Sequence, residues 1–313
     1  AGLSSGILPV ADVIDLLDTL RSGPLYREDQ HSYMLYPNRE LPGFLEKNRI
    51  QAVDAERLGV LQRPERDWRH ILEKDVEGFW HFDGSFRNAR DLAAATPHLN
   101  VAEREELLAL FEKTFNHDSF TGRSGTFFGY EGLGSIYWHM VSKLLLAVQE
   151  QLISAVLSGE PPEIVAALKE RYFDIRSGLG FNKDPASYGA VPTDPYSHTP
   201  WGQGAKQPGM TGQVKEEIIA RFSELGLVVR DALIRFLPEL ILDDQWRPDT
   251  HDFQFTYCGV SFVVVQSDHN GIEIMDADRS TKEFDTLEIP AEESAEIFHR
   301  SGRIRSVKVK SRA

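Results

Sequence analysis

Residues 133–157, LGSIYWHMVSKLLLAVQEQLISAVL, carry the clearest structural pattern in the chain. Their apolar side chains recur at steps of three and four residues, which predicts a long amphipathic helix. A glycine-rich segment, residues 120–134, runs directly into the start of this helix. Because the first N–H groups of a helix have no intrahelical partner and attract anions, the sequence predicts a ligand-binding loop here.

Helical patterns dominate the chain up to residue 226. Further amphipathic helices are predicted at residues 10–21, 101–115, 161–176 and 211–225. After residue 226 the period changes, and short strand-like runs alternate with turn residues. We therefore predict a mostly α chain with a C-terminal β unit, divided into a helical portion at residues 1–226 and a small antiparallel β domain at residues 227–313.

Composition excludes several classes of protein. The chain has 313 residues and a formal net charge of −14, which argues against a nucleic-acid partner. No continuous apolar run is long enough to span a bilayer and no signal peptide is evident, so we expect no membrane partner and a cytoplasmic location. The single cysteine, Cys258, excludes an internal disulfide and predicts a buried, inert thiol. Scattered histidines predict no metal site.

A second loop, residues 188–213, also runs into a helix. It carries carboxylate, imidazole and aromatic side chains, the types that bind carbohydrate hydroxyl groups and stack on sugar faces. These side chains are Asp194, Tyr196, His198 and Trp201. Thr211 and Gly212 then begin the next helix, where free N–H groups can hold phosphate. The alternative is a structural loop that ends in an ordinary threonine cap.

Three further polar residues are candidates. His139 lies off the apolar stripe of its helix, so its imidazole can donate to a phosphate or a hydroxyl, or it can simply face solvent. Glu131 precedes the same helix. Asp83 is a candidate general acid, although an aspartate before Gly84 is also typical of a turn.

Four short segments occur in the same order as the motifs of a known enzyme family. They are Tyr130-Glu131-Gly132 ahead of His139, Asp194-Pro195-Tyr196, Thr211-Gly212, and an exit through Leu225-Gly226 and Leu237-Pro238 to Trp246. Over residues 120–266 this order resembles the C-terminal part of the inverting glycoside phosphorylases of glycoside hydrolase family 94 and its relatives. The resemblance implies part of an (α/α)6 toroid followed by a β domain. It also implies that phosphate binds at His139, Thr211 and Gly212, with Glu131 and the loop around Tyr196 lining the sugar site.

The chain departs from that family's pattern in places. Leu133 stands where the family has glycine, and Gln213 stands where it has serine. The family's D-W-N-D-G segment, which supplies the general acid, is absent, and the long helices are too few to close a toroid. We therefore expect a C-terminal portion of a larger enzyme, with its N-terminal part or a homodimer mate as partner. The general acid is then either Asp83 or a residue outside the chain.

The predicted reaction is inverting phosphorolysis of a β-linked gluco-oligosaccharide to a sugar 1-phosphate. Phosphate attacks the anomeric carbon while a carboxylic acid protonates the leaving oxygen, so inorganic phosphate is a co-substrate and no cofactor is needed. Two alternatives stay open. One is an inverting glycoside hydrolase on the same toroid, with Glu131 or Asp194 as base. The other is a non-catalytic carbohydrate-binding fragment.

Overall fold

The protein's computed structural model describes residues 2–38, 42–116, 134–192, 194–208 and 211–312. Within these ranges the helices are α1 (Val10–Ser22), α2 (Phe44–Lys47), α3 (Ala52–Ala55), α4 (Ala89–Ala95), α5 (Val101–Phe115), α6 (Trp138–Ser158), α7 (Pro162–Ser177), α8 (Pro185–Tyr188), α9 (Thr211–Glu224) and α10 (Ala291–His299). The strands are β1 (Tyr26–Arg27), β2 (Ser32–Tyr33), β3 (Leu72–Lys74), β4 (Trp80–Phe82), β5 (Ile136–Tyr137), β6 (Tyr196–Thr199), β7 (Lys206–Pro208), β8 (Leu227–Arg230), β9 (Leu233–Phe236), β10 (Asp252–Tyr257), β11 (Val260–Ser267), β12 (Gly271–Asp276), β13 (Thr281–Phe284) and β14 (Ile304–Arg312).

The chain forms two compact units. Ala1–Tyr33 and Ile136–Ala313 make up one, called here the main unit. Met34–Ser135 make up the other, called here the inserted unit because the main unit is interrupted by it in sequence. The predicted boundary at residue 226 coincides with the change from α9 to β8, but both sides of it belong to the main unit. The division into residues 1–226 and 227–313 therefore stays a prediction.

The predicted long helices are present, with one shifted start. Helix α6 begins at Trp138 and not at residue 133, because Ile136 and Tyr137 instead pair with β6 as a short strand. At its other end, Gly159 adopts a left-handed conformation (φ 70°), and two prolines then begin α7. The described elements make up a mixed α/β chain. The toroid stays an implication of the resemblance.

Helix α6 is the central helix of the main unit. It packs against both α7 and α9, and its buried face includes Val141, Leu145, Val148 and Leu152. By length and composition alone, with a mean hydropathy of 1.4 over its best window, α6 could cross a membrane. The core helix of a water-soluble protein meets the same criteria.

The C-terminal sheet is mixed, so the prediction of a purely antiparallel β domain is wrong. Its strand order is β10-β11-β14-β12-β13, and β14 runs parallel to β11. The reason is the crossing helix α10, which lies between β13 and β14 in sequence and allows β14 to enter the middle of the sheet. There it pairs antiparallel with β12, and Phe262, Ile274 and Val307 from three adjacent strands are fully buried.

Cys258 is half-buried, whereas the sequence predicted a buried thiol. Tyr257 and Val260 are paired across β10 and β11, so Cys258 and Gly259 form the two-residue turn between these strands. Both have positive φ, 50° and 85°, which is typical of a type I′ hairpin turn. A turn lies at the end of a sheet and is less covered than a strand, which explains the exposure.

The inserted unit has a core of its own. Strands β3 and β4 pair antiparallel, and α4 packs against α5. Phe82, Leu92, Leu107 and Phe111 are buried in the same apolar cluster. The inserted unit therefore has an apolar core built from its own residues.

Candidate functional site

A three-stranded sheet fixes the start of α6. Strand β6 pairs antiparallel with both β5 and β7, so Tyr137 lies opposite His198. The indole N–H of Trp138 donates to the Thr199 hydroxyl at 3.0 Å, and both side chains are fully buried. The second predicted loop therefore lies against the first turn of α6, although the two are distant in sequence.

Aromatic and imidazole rings cluster around this sheet. The rings of Tyr137 and His198 stack with centroids 5.7 Å apart, and Trp138 and Tyr188 meet edge to face at 5.3 Å. Tyr196 contacts Tyr188 edge to face at 5.9 Å. Burial lowers the pKa of His198 below its ordinary value of 6.5, which favours a neutral imidazole at neutral pH. A neutral ring can both donate to and accept from hydroxyl groups.

The N-terminal halves of α6 and α9 lie side by side. Nε2 of His139 is 3.7 Å from Oε2 of Glu216. The Ser142 hydroxyl donates to Oε1 of Glu217 at 3.4 Å, and the Gln213 amide donates to the same oxygen at 3.1 Å. We call this row of polar side chains the α6–α9 seam. It consists of His139, Ser142, Gln213, Glu216 and Glu217.

Two acceptor oxygens in the seam are buried without a hydrogen-bond donor in the part of the chain that the structure describes. Gln213 is 4% exposed and Glu216 is 5% exposed. Among the described residues, neither Oε1 of Gln213 nor Oε2 of Glu216 has a hydrogen-bond donor. Burial also raises the pKa of Glu217, which disfavours its charged form. Unpaired buried acceptors and a carboxyl with a shifted pKa are typical of a functional site.

Sequence reasoning assigned no role to Glu216 or Glu217. Their positions on α9 were visible, because Gln213, Glu216 and Glu217 fall on one face at steps of three and four. The same spacing occurs on any solvent-exposed polar face. Only the packing of α6 against α9 turns that face into a buried seam.

The other predicted site residues differ in their positions and in their exposure. Thr211 and Gly212 begin α9. The side chain of Thr211 and the whole of Glu131 are outside what the structure describes. Asp194 is exposed in the turn before β6. Trp201 is 55% exposed, and its ring centroid is 5.3 Å from the guanidinium of Arg27.

Asp83 lies in the inserted unit, not in the main unit that contains His139 and Tyr196. It follows β4, and its carboxylate accepts from the backbone N–H of Ser85 at 2.9 Å. That arrangement is typical of a turn aspartate. Its role as a general acid stays a prediction.

A cleft of about 350 Å³ runs along α9 beside the seam. Glu217 and the exposed apolar side chains of Val214, Ile218 and Phe181 line it, with Glu224 at its base. Glu224 is 2% exposed and accepts from the Tyr172 hydroxyl at 2.7 Å, as well as from neighbouring guanidinium groups. These hydrogen bonds join α7 to α9 along one wall of the cleft.

No group of three or more histidine, cysteine or acidic residues within the described ranges could hold a metal ion. The seam instead offers one imidazole donor, several acceptor oxygens and one hydroxyl. Together with the aromatic rings on β5 and β6, these groups suit a polar ligand that carries hydroxyl groups and an anion.

Comparison with known proteins bears on the inserted unit. Residues 41–118 match the family model for GH149 phosphorylase insertion domain 2. No curated protein matches the chain. The matched residues fall inside the inserted unit and make up less than half of the chain. The match therefore suggests a glycoside phosphorylase family and points to glycoside phosphorolysis, without specifying family 94 or a C-terminal position.

Proposed function

We propose that this chain takes part in the inverting phosphorolysis of a β-linked gluco-oligosaccharide to a sugar 1-phosphate. The match to a phosphorylase insertion domain supports phosphorolysis in general. The observation that carries the proposal is that His139, in the first turn of α6, lies 3.7 Å from Glu216, in the second turn of α9.

This adjacency supports a phosphate site built from His139, Thr211 and Gly212. Thr211 begins α9 five positions before Glu216, a distance of roughly 7–8 Å along a helix axis. The free N–H groups of that first turn carry the positive end of the helix dipole. An imidazole and a helix start that face one anion give it donors from two sides.

The sugar site in this proposal lies along β6 and its flanking turns. Tyr196 and His198 stand on β6, Trp201 follows it, Asp194 precedes it, and Glu131 precedes α6. Aromatic rings would stack on the sugar while the carboxylates and the imidazole take its hydroxyl groups.

In the proposed reaction a phosphate oxygen attacks the anomeric carbon as the glycosidic C–O bond breaks. A carboxylic acid, Asp83 or a residue outside this chain, gives its proton to the leaving oxygen, and the configuration inverts. Phosphate is already a nucleophile, so no base carboxylate is needed, unlike in an inverting hydrolase. The seam contributes by positioning phosphate and by screening its charge.

The wider setting is part of the same proposal. The chain is the C-terminal portion of a larger cytoplasmic enzyme, resembling family 94, whose helical part is an (α/α)6 toroid. Its substrates are the oligosaccharide and inorganic phosphate, without metal, organic cofactor, nucleic acid or membrane. Its partner is the remaining part of the enzyme or a second copy.

One observation favours a second function, an inverting glycoside hydrolase. Glu217 is a largely buried carboxyl with a raised pKa beside an open cleft. Such a carboxyl is suited to take a proton from an attacking water near neutral pH. A hydrolase would use Glu217 as this base and would have no requirement for phosphate.

Kinetics with phosphate and gluco-oligosaccharide varied independently test the proposal. Release of sugar 1-phosphate should require phosphate, and His139→Ala should raise the KM for phosphate roughly 10- to 100-fold, because a charge-assisted hydrogen bond is lost. Tyr196→Ala should instead raise the KM for the oligosaccharide. Reducing sugar released without phosphate would identify a hydrolase, and no turnover with retained sugar binding would identify a binding fragment.

A further inference from the structure

We infer that Glu216 is a positioning residue, which orients His139 so that the imidazole donates to phosphate. The inference rests on the proposed function and goes beyond it, because neither the sequence pattern nor the phosphorylase match assigns a role to Glu216.

The first step is the unsatisfied carboxylate. The Glu216 side chain is 7% exposed, and its Oε2 accepts no hydrogen bond from the described residues. Burying a carboxylate oxygen without a hydrogen-bond donor destabilises the folded state. Nε2 of His139 faces this oxygen at 3.7 Å, somewhat beyond the 2.7–3.2 Å of a hydrogen bond. Because the imidazole is 41% exposed, a small rotation can close the gap.

The second step is the separation of the two neighbouring carboxyls. Glu217 already accepts from Ser142 on α6 and from Gln213 on its own helix, which fixes it in the seam. The nearest charged or polar group to Oε2 of Glu216 that the ion pairs include is instead the His139 imidazole. The two adjacent acids therefore have different partners, and Glu216 is the one that can act on His139.

The third step is the direction of the ring. The two nitrogens of an imidazole point to different sides, and both carry an N–H only when the ring is protonated. An imidazolium that donates from Nε2 to Glu216 therefore presents the N–H of Nδ1 to phosphate. A carboxylate that fixes one ring nitrogen is a common way to set the orientation of the other. Glu216 itself does not bind phosphate, because two anions in contact repel. In the order Glu216, His139, phosphate, the imidazole separates the two negative groups.

The test is a double-mutant cycle in the active enzyme. We expect Glu216→Gln to raise the KM for phosphate roughly tenfold with little change in the KM for the oligosaccharide. In a His139→Ala background the same substitution should change the phosphate KM less than about twofold, because its effect passes through the imidazole. Glu293→Gln is a matched control, since Glu293 is 7% exposed but pairs with Lys282 in the C-terminal β region.

The outcomes separate the two claims. The positioning role would be overturned if Glu216→Gln left phosphate-dependent turnover unaffected. It would also be overturned if the effects of Glu216→Gln and His139→Ala on the KM for phosphate were independent and multiplied in the double variant. Either outcome would leave the phosphorylase proposal intact. An equal rise in both KM values would also overturn the positioning role, since that indicates a general structural loss. Wild-type turnover that never depends on phosphate would overturn both. If Glu216→Gln fails to fold, Glu216→Asp serves instead, and it should weaken phosphate binding less than His139→Ala does.

Discussion

The backbone N–H of Leu35 donates to the carbonyl oxygen of Ser135 at 3.0 Å, with nearly the whole inserted unit between them in sequence. Gly134 returns a hydrogen bond to the carbonyl of Tyr36 at 3.2 Å. The two ends of the inserted unit are thus paired like neighbouring strands. Domains that are tolerated as insertions commonly have their two chain ends side by side.

We predict that the main unit folds without the inserted unit. Replacing residues 34–135 by a short Gly-Ser linker joins two points that are close in space, and the main unit keeps its own apolar core around Phe262 and Ile274. Circular dichroism and thermal unfolding should show retained helix and a single cooperative transition. Residues 34–135 produced alone should unfold cooperatively as well. A molten or aggregated main unit would contradict the prediction.

We predict that Tyr172→Phe destabilises the protein by about 1–2 kcal/mol, because it removes the hydroxyl donor to the buried Glu224 carboxylate. Glu224→Ala should be worse, about 3–5 kcal/mol, since it leaves the partly buried guanidinium of Arg176 without its counter-ion. Urea unfolding measures both. Tyr36→Phe is the control, as Tyr36 is 52% exposed. Equal stability of the two Tyr→Phe variants would contradict the role of the network.

We predict that Glu217→Gln stabilises the protein at high pH but not at low pH. Burial raises the pKa of Glu217 in the folded state, so the folded protein holds this proton to a higher pH than the unfolded chain does. Stability is therefore lost as the pH rises from the ordinary glutamate value of 4.5 through the raised pKa. Glutamine stays neutral, so the variant does not lose stability in this way as the pH rises.

The measurement for Glu217→Gln is the melting temperature at pH 4 and at pH 8. We expect no difference at pH 4 and a rise of about 2 °C at pH 8. Glu163→Gln, at an exposed position in the first turn of α7, should show no such pH dependence. A variant that is less stable than wild type at pH 8 would show that the carboxylate is favourably bound.

We predict opposite effects for two substitutions in the β10–β11 turn. Cys258 has φ 50°, a conformation that asparagine tolerates better than most residues, so Cys258→Asn should stabilise by roughly 0.5 kcal/mol. Gly259 has φ 85°, so Gly259→Ala should destabilise by about 1–2 kcal/mol. Chemical unfolding checks both signs. The type I′ assignment would be wrong if Gly259→Ala were neutral.

Local sequence pattern accounted for much of the secondary structure but not for its assembly. The periodicity in residues 133–157 predicted α6, and the strand-like runs after residue 226 predicted strands such as β10. Neither pattern specifies a partner strand. Parallel pairing of β11 with β14 depends on a crossing helix and on contacts between residues far apart in sequence.

The inserted unit was not predicted, for a related reason. Its described helices are short apart from α5, and the sequence around residue 34 carries no composition change. What defines it is the density of contacts within Met34–Ser135, which exists only in the folded chain. The sequence offered Asp83 as a candidate general acid, and contacts place it within the inserted unit.

By itself the sequence determined the long helices, most of the strands after residue 226, the candidate loops and the types of side chain available for sugar and phosphate. These features depend on residues near one another in the chain. Only the tertiary structure decided that His139 faces Glu216, that Tyr137 pairs with His198, and that Cys258 sits in a turn. Such relationships depend on which helix faces and strand edges meet. The free energy that selects them comes from burial and pairing between distant segments, which no local pattern records.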